Sequence, residues 1–338
     1  MTTPGRSAPT IVDVAREAGV SKSLVSLAIR GDAGVSDATR LRILDVAERL
    51  GYHSNALARG LVKGRTQVVG LLVSDLSNPY FADVVEGIEE DAAATGLGTV
   101  IGHGRGSVDV LARRLDEVLD LGVDGVIVIS AMLDAATLDR ASSRRPIVMV
   151  GRPFDAPRRV SVVRNHDEHG AQAAVGHLLD LGHQRIVHVA SSRRAAATAR
   201  RASYESTMQE AGLEPQVVEA ADGGVSQALD LFARTGGPTA CFAGNDRIGT
   251  AMIHDALERG VEVPGDLSVV GYDNSEVGRL MRPALTTVEQ PREAMGREAM
   301  RLLLARIDGD REVAEVTLEP RLVLRASTGP AREAPPSA

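Results

Sequence analysis

Thr10-Ile-Val-Asp-Val-Ala-Arg-Glu-Ala-Gly-Val-Ser-Lys-Ser-Leu-Val-Ser-Leu-Ala-Ile-Arg30 is the stretch that decides how this chain is read. Ile11, Val14, Ala15 and Ala18 recur at i, i+3, i+4 and i+7, one apolar face of a helix, with Thr10 placed to cap it and Asp13 in its first turn. Gly19 stops that helix, because glycine takes the left-handed conformation a turn needs. Val20 then tucks under the corner, and Ser21 caps a second helix from Lys22 to Arg30. Val25 and Ile29 share the face that packs on the first helix. Lys22, Ser23, Ser26 and Leu27 are left outward, as a face able to read a DNA major groove. A third helix, capped by Ser36 and ended by Gly51, is expected to close the core with Leu41, Leu44, Ala47 and Leu50. An ordinary helical hairpin has the same pattern, so the next stretch carries weight.

From Tyr52 the chain runs His-Ser-Asn-Ala-Leu-Ala-Arg-Gly-Leu61, where Asn55 can cap a helix of about two turns with Leu57 and Leu61 on one face. With Gly60 inside it, so short a helix is marginal alone. Here the sequence resembles the LacI/GalR (lactose-repressor/galactose-repressor) family of bacterial transcriptional regulators. The matching residues are Asp13-Val14-Ala15, Ala18-Gly19-Val20-Ser21, Val25-Ser26, Val35-Ser36, Thr39-Arg40, Gly51-Tyr52, Asn55 and Ala58-Arg59-Gly60-Leu61. The resemblance implies that Lys22, Ser23 and Leu27 hold base-reading positions and that Leu61 is a wedge for the minor groove. Thr10, Ser21, Ser26, Arg30, Thr39, Asn55, Ala58 and Arg59 complete the expected DNA-binding set. Two departures stand out: Ser54 replaces a frequent proline, and Leu27 replaces a frequent polar or basic residue, so Leu27 is expected to meet a thymine methyl.

Charge supports a nucleic-acid partner despite a net −7 for 338 residues. Up to Arg65 there are ten basic and six acidic residues, so the remainder carries −11. A basic head on an acidic body binds phosphates, and its binding weakens with salt. Met1 to Pro9 reads as a loose arm without a signal-peptide core, and no apolar run is long enough to cross a membrane. The single cysteine, Cys241, lies in an apolar run and excludes an intrachain disulfide, in keeping with a cytoplasmic location. Composition makes Thr328 to Ala338 a disordered tail without leucine heptads, so a homodimer is expected rather than a coiled-coil tetramer.

After the polar link Lys63 to Thr66, strands are expected at Val68 to Val73, Gly98 to Ile101, Gly125 to Ile129, Ile147 to Val150, Arg185 to Val189, Ala240 to Phe242 and Leu267 to Gly271. Leu-Asp-Leu-Gly occurs at 119–122 and at 179–182, each time as a helix end before a buried strand, which gives two doubly wound α/β lobes. The resemblance sharpens this to a two-lobed periplasmic-binding-protein-like effector domain at 66–328. One lobe takes about 66–165 and 291–318, the other 166–290 and 319–328, the last of these with a final strand expected at Arg321 to Ser327. The DNA-binding domain is 10–53 and the hinge and linker 54–65.

Clefts outside the carboxyl ends of parallel strands bind small molecules. Asn78, Phe81, Asp134, Asn245, Asp246, Asp273 and Gln290 follow strand ends or crossings and match the family's ligand positions, as does Arg200; Phe154 is a candidate apolar wall. Carboxylate, amide and guanidinium groups make bidentate hydrogen bonds to vicinal hydroxyls, which favours a polyhydroxylated effector; the resemblance implies a sugar first and a nucleoside or purine second. Capping or turn roles for Asn78 and Asp273, and a solvated charge at Arg200, are the competing readings. His166-Asp167-Glu168-His169 lacks further ligands at a metal spacing, Gly102 to Gly106 lacks a phosphate-loop lysine, and no nucleophile motif is present. No cofactor, metal or catalytic activity is therefore expected. A solute-binding receptor without DNA regulation is the alternative reading.

Overall fold

The computed structural model describes residues 9–30, 32–52, 65–76, 78–220, 224–232 and 236–332. The arm before Pro9, the hinge residues Asn55, Ala58, Arg59 and Leu61, the end of the tail and the Arg30 side chain lie outside this description. Two units are formed, one up to Gln67 and one from Val68 onward.

In the first unit three helices follow one another: α1 (Ile11–Ala18), α2 (Lys22–Arg30) and α3 (Asp37–Leu50). Asp13 reaches back to accept from both the Thr10 N–H (2.9 Å) and the Thr10 hydroxyl (2.7 Å). Gly19 is left-handed (φ 62), and Val20 N–H closes the turn onto the Ala15 carbonyl. Ser21 Oγ accepts from Leu24 N–H, and Ser36 Oγ from Thr39 N–H. Val14, Ala15, Ala18, Val25, Ala28, Ile43, Val46 and Ala47 form the core. The third helix differs from expectation: Ile43, Val46 and Ala47 face inward, while Leu41 and Leu44 are 68% and 42% exposed. With Leu50, the set 43, 46, 47 and 50 is itself an i, i+3, i+4, i+7 stripe, one that an equally apolar neighbouring stripe obscures in the sequence. Arg40 donates to the carbonyls of Ala28 (3.1 Å) and Asp32 (2.7 Å), closing the end of α2.

The second unit carries two parallel-rich sheets. The first contains β1 (Val68–Val73), β2 (Gly98–His103), β3 (Gly125–Ile129), β4 (Ile147–Val150), β5 (Ser161–Asn165) and β11 (Glu315–Leu318), ordered β11-β5-β4-β3-β1-β2. The second contains β6 (Ile186–Ala190), β7 (Gln216–Glu219), β8 (Ala240–Ala243), β9 (Ser268–Tyr272), β10 (Thr286–Glu289) and β12 (Arg321–Val323), ordered β12-β10-β9-β8-β6-β7. Among the described strands only β12 pairs antiparallel, on β10. The helices are α4 (Pro79–Thr95), α5 (Val108–Asp120), α6 (Ala135–Ser142), α7 (Asp167–Asp180), α8 (Ala195–Glu210), α9 (Gly224–Phe232), α10 (Asp246–Glu258), α11 (Glu276–Leu280) and α12 (Arg292–Ile307).

Strands β5, β7, β10 and β11 have no counterpart among those expected from the sequence: each is only four or five residues long and mixes polar with apolar positions. The chain passes between the sheets after Asn165, after Glu289 and after Leu318. Helices α4 and α12 cross with backbones in close approach: a Cβ on Gly87 would lie 2.2 Å from the Glu293 carbonyl oxygen, and one on Gly296 2.2 Å from that of Val84. Only glycine fits at either point. Past Ser327 the chain stays bonded rather than loose: His183 Nε2 meets the Gly329 carbonyl oxygen (3.0 Å), and Ala331 N–H donates to that of Leu181 (2.8 Å). Local backbone pairing, invisible to composition, accounts for this.

Candidate DNA interface and effector cleft

On α2 the side chains alternate between packing and presentation. Val25 and Ala28 are buried, and Leu24 and Ile29 pack against the core. Lys22 and Ser23 are exposed and Ser26 and Leu27 half-buried. Leu27 is half-buried and, among the described residues, is not one of the side chains packed on that core. Thr10 and Thr39 stand at helix starts, where Thr39 Oγ1 lies 2.9 Å from Ser36 Oγ. A helix whose first turn offers an ammonium and hydroxyls, set on a rigid three-helix core, suits phosphate and base-edge contacts in a major groove.

In the larger unit, one group of expected residues converges. Arg200 of α8 lies over the Tyr272 ring, Cζ 4.2 Å from its centroid, with Nε 3.7 Å from Asp167 Oδ1. Arg200 is 9% exposed, yet Nε and Nη1 have no hydrogen-bond partner among the described residues. Asn165 Nδ2 donates to the Tyr272 hydroxyl (2.7 Å), while its Oδ1 is likewise buried and unpartnered. Beside them Asp273 Oδ1 accepts from Gln290 Nε2 (2.6 Å). Asp273 and Asn274 have φ of 118° and 54°, a left-handed pair at the end of β9. Backbone strain of this sort clusters at functional sites.

Burial pushes the Asp273 carboxyl up to about 7, helped by the negative charge of Asp246 and opposed by Arg200. Burial also raises Asp167, with Arg200 opposing. From the other lobe Tyr80, at the start of α4, feels Asp167, Asp273 and Arg200, so its phenol faces the same cluster; burial raises it too. Tyr80, Asn165, Asp167 and Tyr272 join this cluster beyond the expected effector-binding set. A tyrosine ending a buried strand directly before Asp273 is the signal that points to Tyr272.

Other expected residues have local roles. Asn78 caps α4 (Oδ1 to Tyr80 N–H, 3.0 Å), Asp134 caps α6 (2.6 Å to Thr137 N–H), and Asn245 caps α10 (3.0 Å to Ile248 N–H). Phe81 stacks edge-on against Tyr80, centroids 5.3 Å apart, and packs on the lobe core. Phe154 is 66% exposed. Asp246 is 1% exposed with both oxygens engaged inside the lobe, so it does not face the cleft. His166 accepts from His169 N–H at the start of α7, and His169 pairs with Glu319. Cavities of about 250 Å³ beside Asp83, Gln290 and Arg292, and of about 290 Å³ beside Ser192, Arg193 and Arg201, lie among the described residues.

Residues 10–55 match the family described as bacterial regulatory proteins, lacI family, and residues 175–328 a periplasmic binding protein-like domain. Catabolite control protein A of Priestia megaterium is 32% identical over 328 residues, 94% of this chain and 99% of that protein. The chain belongs to the LacI family. Another member, the HTH-type transcriptional repressor PurR of Photobacterium profundum, is 31% identical over 94% of this chain and 98% of its own length. Among solved structures, the transcriptional regulator CelR in complex with cellobiose is 32% identical over 94% of this chain and 99% of that one, with a TM-score of 0.69. The Lac repressor dimer bound to operator superposes at a TM-score of 0.83 with 24% identity, a likeness of fold. This LacI-family chain therefore joins a helix-turn-helix head to a two-lobed periplasmic-binding-protein-like body. Among the described residues no helix is long and apolar enough to cross a membrane.

Proposed function

We propose that the protein is a transcriptional repressor that binds a palindromic operator as a homodimer and is switched by an uncharged, polyhydroxylated effector in the interlobe cleft, a sugar before a nucleoside. The division at 10–53, 54–65 and 66–328 belongs to this reading, as does insertion of Leu61 into the minor groove. The observation that carries it is the unsatisfied Arg200 guanidinium. A buried donor without a partner costs about 1–3 kcal/mol, more when charged, and a ligand oxygen removes that cost. Arg200 is already balanced by Asp167, and Asp273 takes up a proton near neutral pH, so the site has little charge to offer an anion. Hydroxyl groups suit it: they accept from Arg200 and Gln290 and donate to Asp273 and Asn165 Oδ1. The relatives agree with that chemistry, since a 28%-identical LacI-family regulator from Enterococcus faecium was solved with bound ribose and CelR with cellobiose.

Effector binding shifts the balance between open and closed lobes and thereby the operator-competent dimer, a coupling of typically about 1–3 kcal/mol that acts equally in both directions. Titrating the protein with ribose, cellobiose, other mono- and disaccharides and nucleosides by calorimetry tests the site. One neutral polyol should bind, and Arg200→Ala should abolish its binding while leaving effector-free operator affinity within a few-fold. Preference for a phosphorylated or carboxylated ligand overturns the assignment.

A further inference from the structure

Sequence reasoning places Asp246 among the ligand contacts, and its surroundings show another part for it. The carboxylate sits in a cradle that two glycines make possible: a Cβ on Gly271 would lie 2.3 Å from Oδ1, and one on Gly278 3.2 Å from Oδ2. Oδ2 accepts from the Ser275 N–H at 2.5 Å. Oδ1 accepts from the Thr287 hydroxyl at 2.5 Å, and the same hydroxyl oxygen accepts from the Asn274 N–H at 3.3 Å. Asp246 thus holds two consecutive residues of one turn, one directly and one through Thr287. The turn begins with Asp273 in the cleft and ends with Ser275, whose Oγ accepts from Gly278 N–H to cap α11. On that helix Val277 and Leu280 are 59% and 64% exposed.

We infer that Asp246 is a positioning residue that clamps the Asp273–Asn274–Ser275 turn into a single lever, so that a change at the Asp273 carboxylate is carried to the surface helix α11. A left-handed Asp273 at φ 118 persists only when its surroundings over-determine it, and the Asp246 bonds supply that constraint. The remaining bonds stiffen the same turn: Asn274 Nδ2 donates to Glu289 (2.8 Å), Arg325 donates to Asn274 Oδ1, and Arg292 donates to the Asn274 carbonyl oxygen (3.4 Å). With its ends fixed in this way, the turn rotates as a body or not at all.

The proton serves as the probe, so the test does not depend on the identity of any effector. The charged and titratable groups facing Asp273 are Arg200 from α8, Asp246 from α10, Arg292 from α12, Tyr80 from α4 and Tyr272 from β9. Because the chain has no tryptophan, Val277→Trp gives a single fluorescent reporter on α11, and Leu121→Trp, at a position 52% exposed in the other lobe, gives a control. The Val277→Trp emission is expected to change sigmoidally with a midpoint near about 7, while Leu121→Trp stays flat over the same range. Adding Asp273→Asn should abolish the change. Adding Asp246→Ala should reduce it to a minor fraction although Asp273 still titrates, as the pH dependence of unfolding then reports. If Asp246→Ala does not fold, Thr287→Val, which removes only the hydroxyl bonded to Oδ1, should weaken the response. A flat Val277→Trp profile, a response that survives Asp273→Asn, or one undiminished by loosening Asp246 overturns the inference.

Discussion

Replacing Asp273 by Asn should stabilise the protein at pH 8 by roughly two to three times as much as at pH 5, and do little only below about pH 4. Burial raises the Asp273 carboxyl from an ordinary 3.8 to about 7 in the folded state. Between those two values the folded protein holds a proton that the unfolded chain has released. Stability therefore falls as pH rises from about 4 through about 7, the direction required when the folded state binds more protons. A pKa that differs by one between folded and unfolded states is worth about 1.4 kcal/mol, so the rise from 3.8 to about 7 gives at most about 4 kcal/mol. Partial exposure of Asp273 to solvent reduces the net effect to about 2–3 kcal/mol. Asparagine has the same shape, needs no proton and still accepts from Gln290 Nε2. Urea unfolding of the wild type and Asp273→Asn, followed by circular dichroism at pH 5, 6, 7 and 8, should show a difference that grows with pH and levels off above about 7. A variant less stable than wild type at pH 8, or a difference independent of pH, would refute the reasoning. The gain in stability should come with a loss of effector affinity, because the carboxylate acceptor is gone.

Gly87→Ala places a methyl 2.2 Å from a backbone carbonyl oxygen that cannot swing aside, so α4 and α12 must part; a loss of about 3 kcal/mol or more in urea unfolding is expected, against a negligible change for Gly176→Ala, where a Cβ meets nothing within 4 Å. Leu27→Ser should lower operator affinity chiefly at one thymine, by about 1 kcal/mol, and replacing that base should cost the variant less than the wild type in competition binding. Leu61→Ala should reduce specific operator binding more than nonspecific binding; equal losses would remove the wedge assignment. Between 50 and 200 mM salt, operator affinity should fall steeply through release of phosphate counterions, as fluorescence anisotropy with labelled DNA would show.

The helix-turn-helix is legible in the sequence because caps, glycine stops and apolar spacing agree locally at Thr10, Gly19, Ser21, Ser36 and Gly51. The inward face of the third helix is misread there because Leu41 and Leu44 compete with Ile43 and Val46 on equal terms, and only packing against α1 and α2 decides between them. In the body, continuous apolar runs such as Val126-Ile-Val128 announce central strands. Strands β7 and β11, at sheet edges, have half-exposed faces and carry no such signal. The cleft is half legible. Arg200, Asp273 and Gln290 do meet, but Asp246 is diverted inward by Gly271, Gly278, Ser275 and Thr287, contacts made across up to 41 residues of sequence. Tyr272 escapes notice because an aromatic residue in a buried strand reads first as packing.

The central claim is that one molecule joins specific DNA binding to small-molecule sensing. The most direct measurement is binding of the purified full-length protein to DNA from its own promoter region at two salt concentrations, with and without the panel of neutral sugars and nucleosides. The account predicts salt-sensitive binding with dimer stoichiometry to a palindromic site, shifted by one neutral polyol and no longer shifted in Arg200→Ala. A polyol that binds the cleft tightly yet leaves DNA affinity unchanged on every genomic fragment, or the absence of any sequence-specific DNA binding, would contradict it.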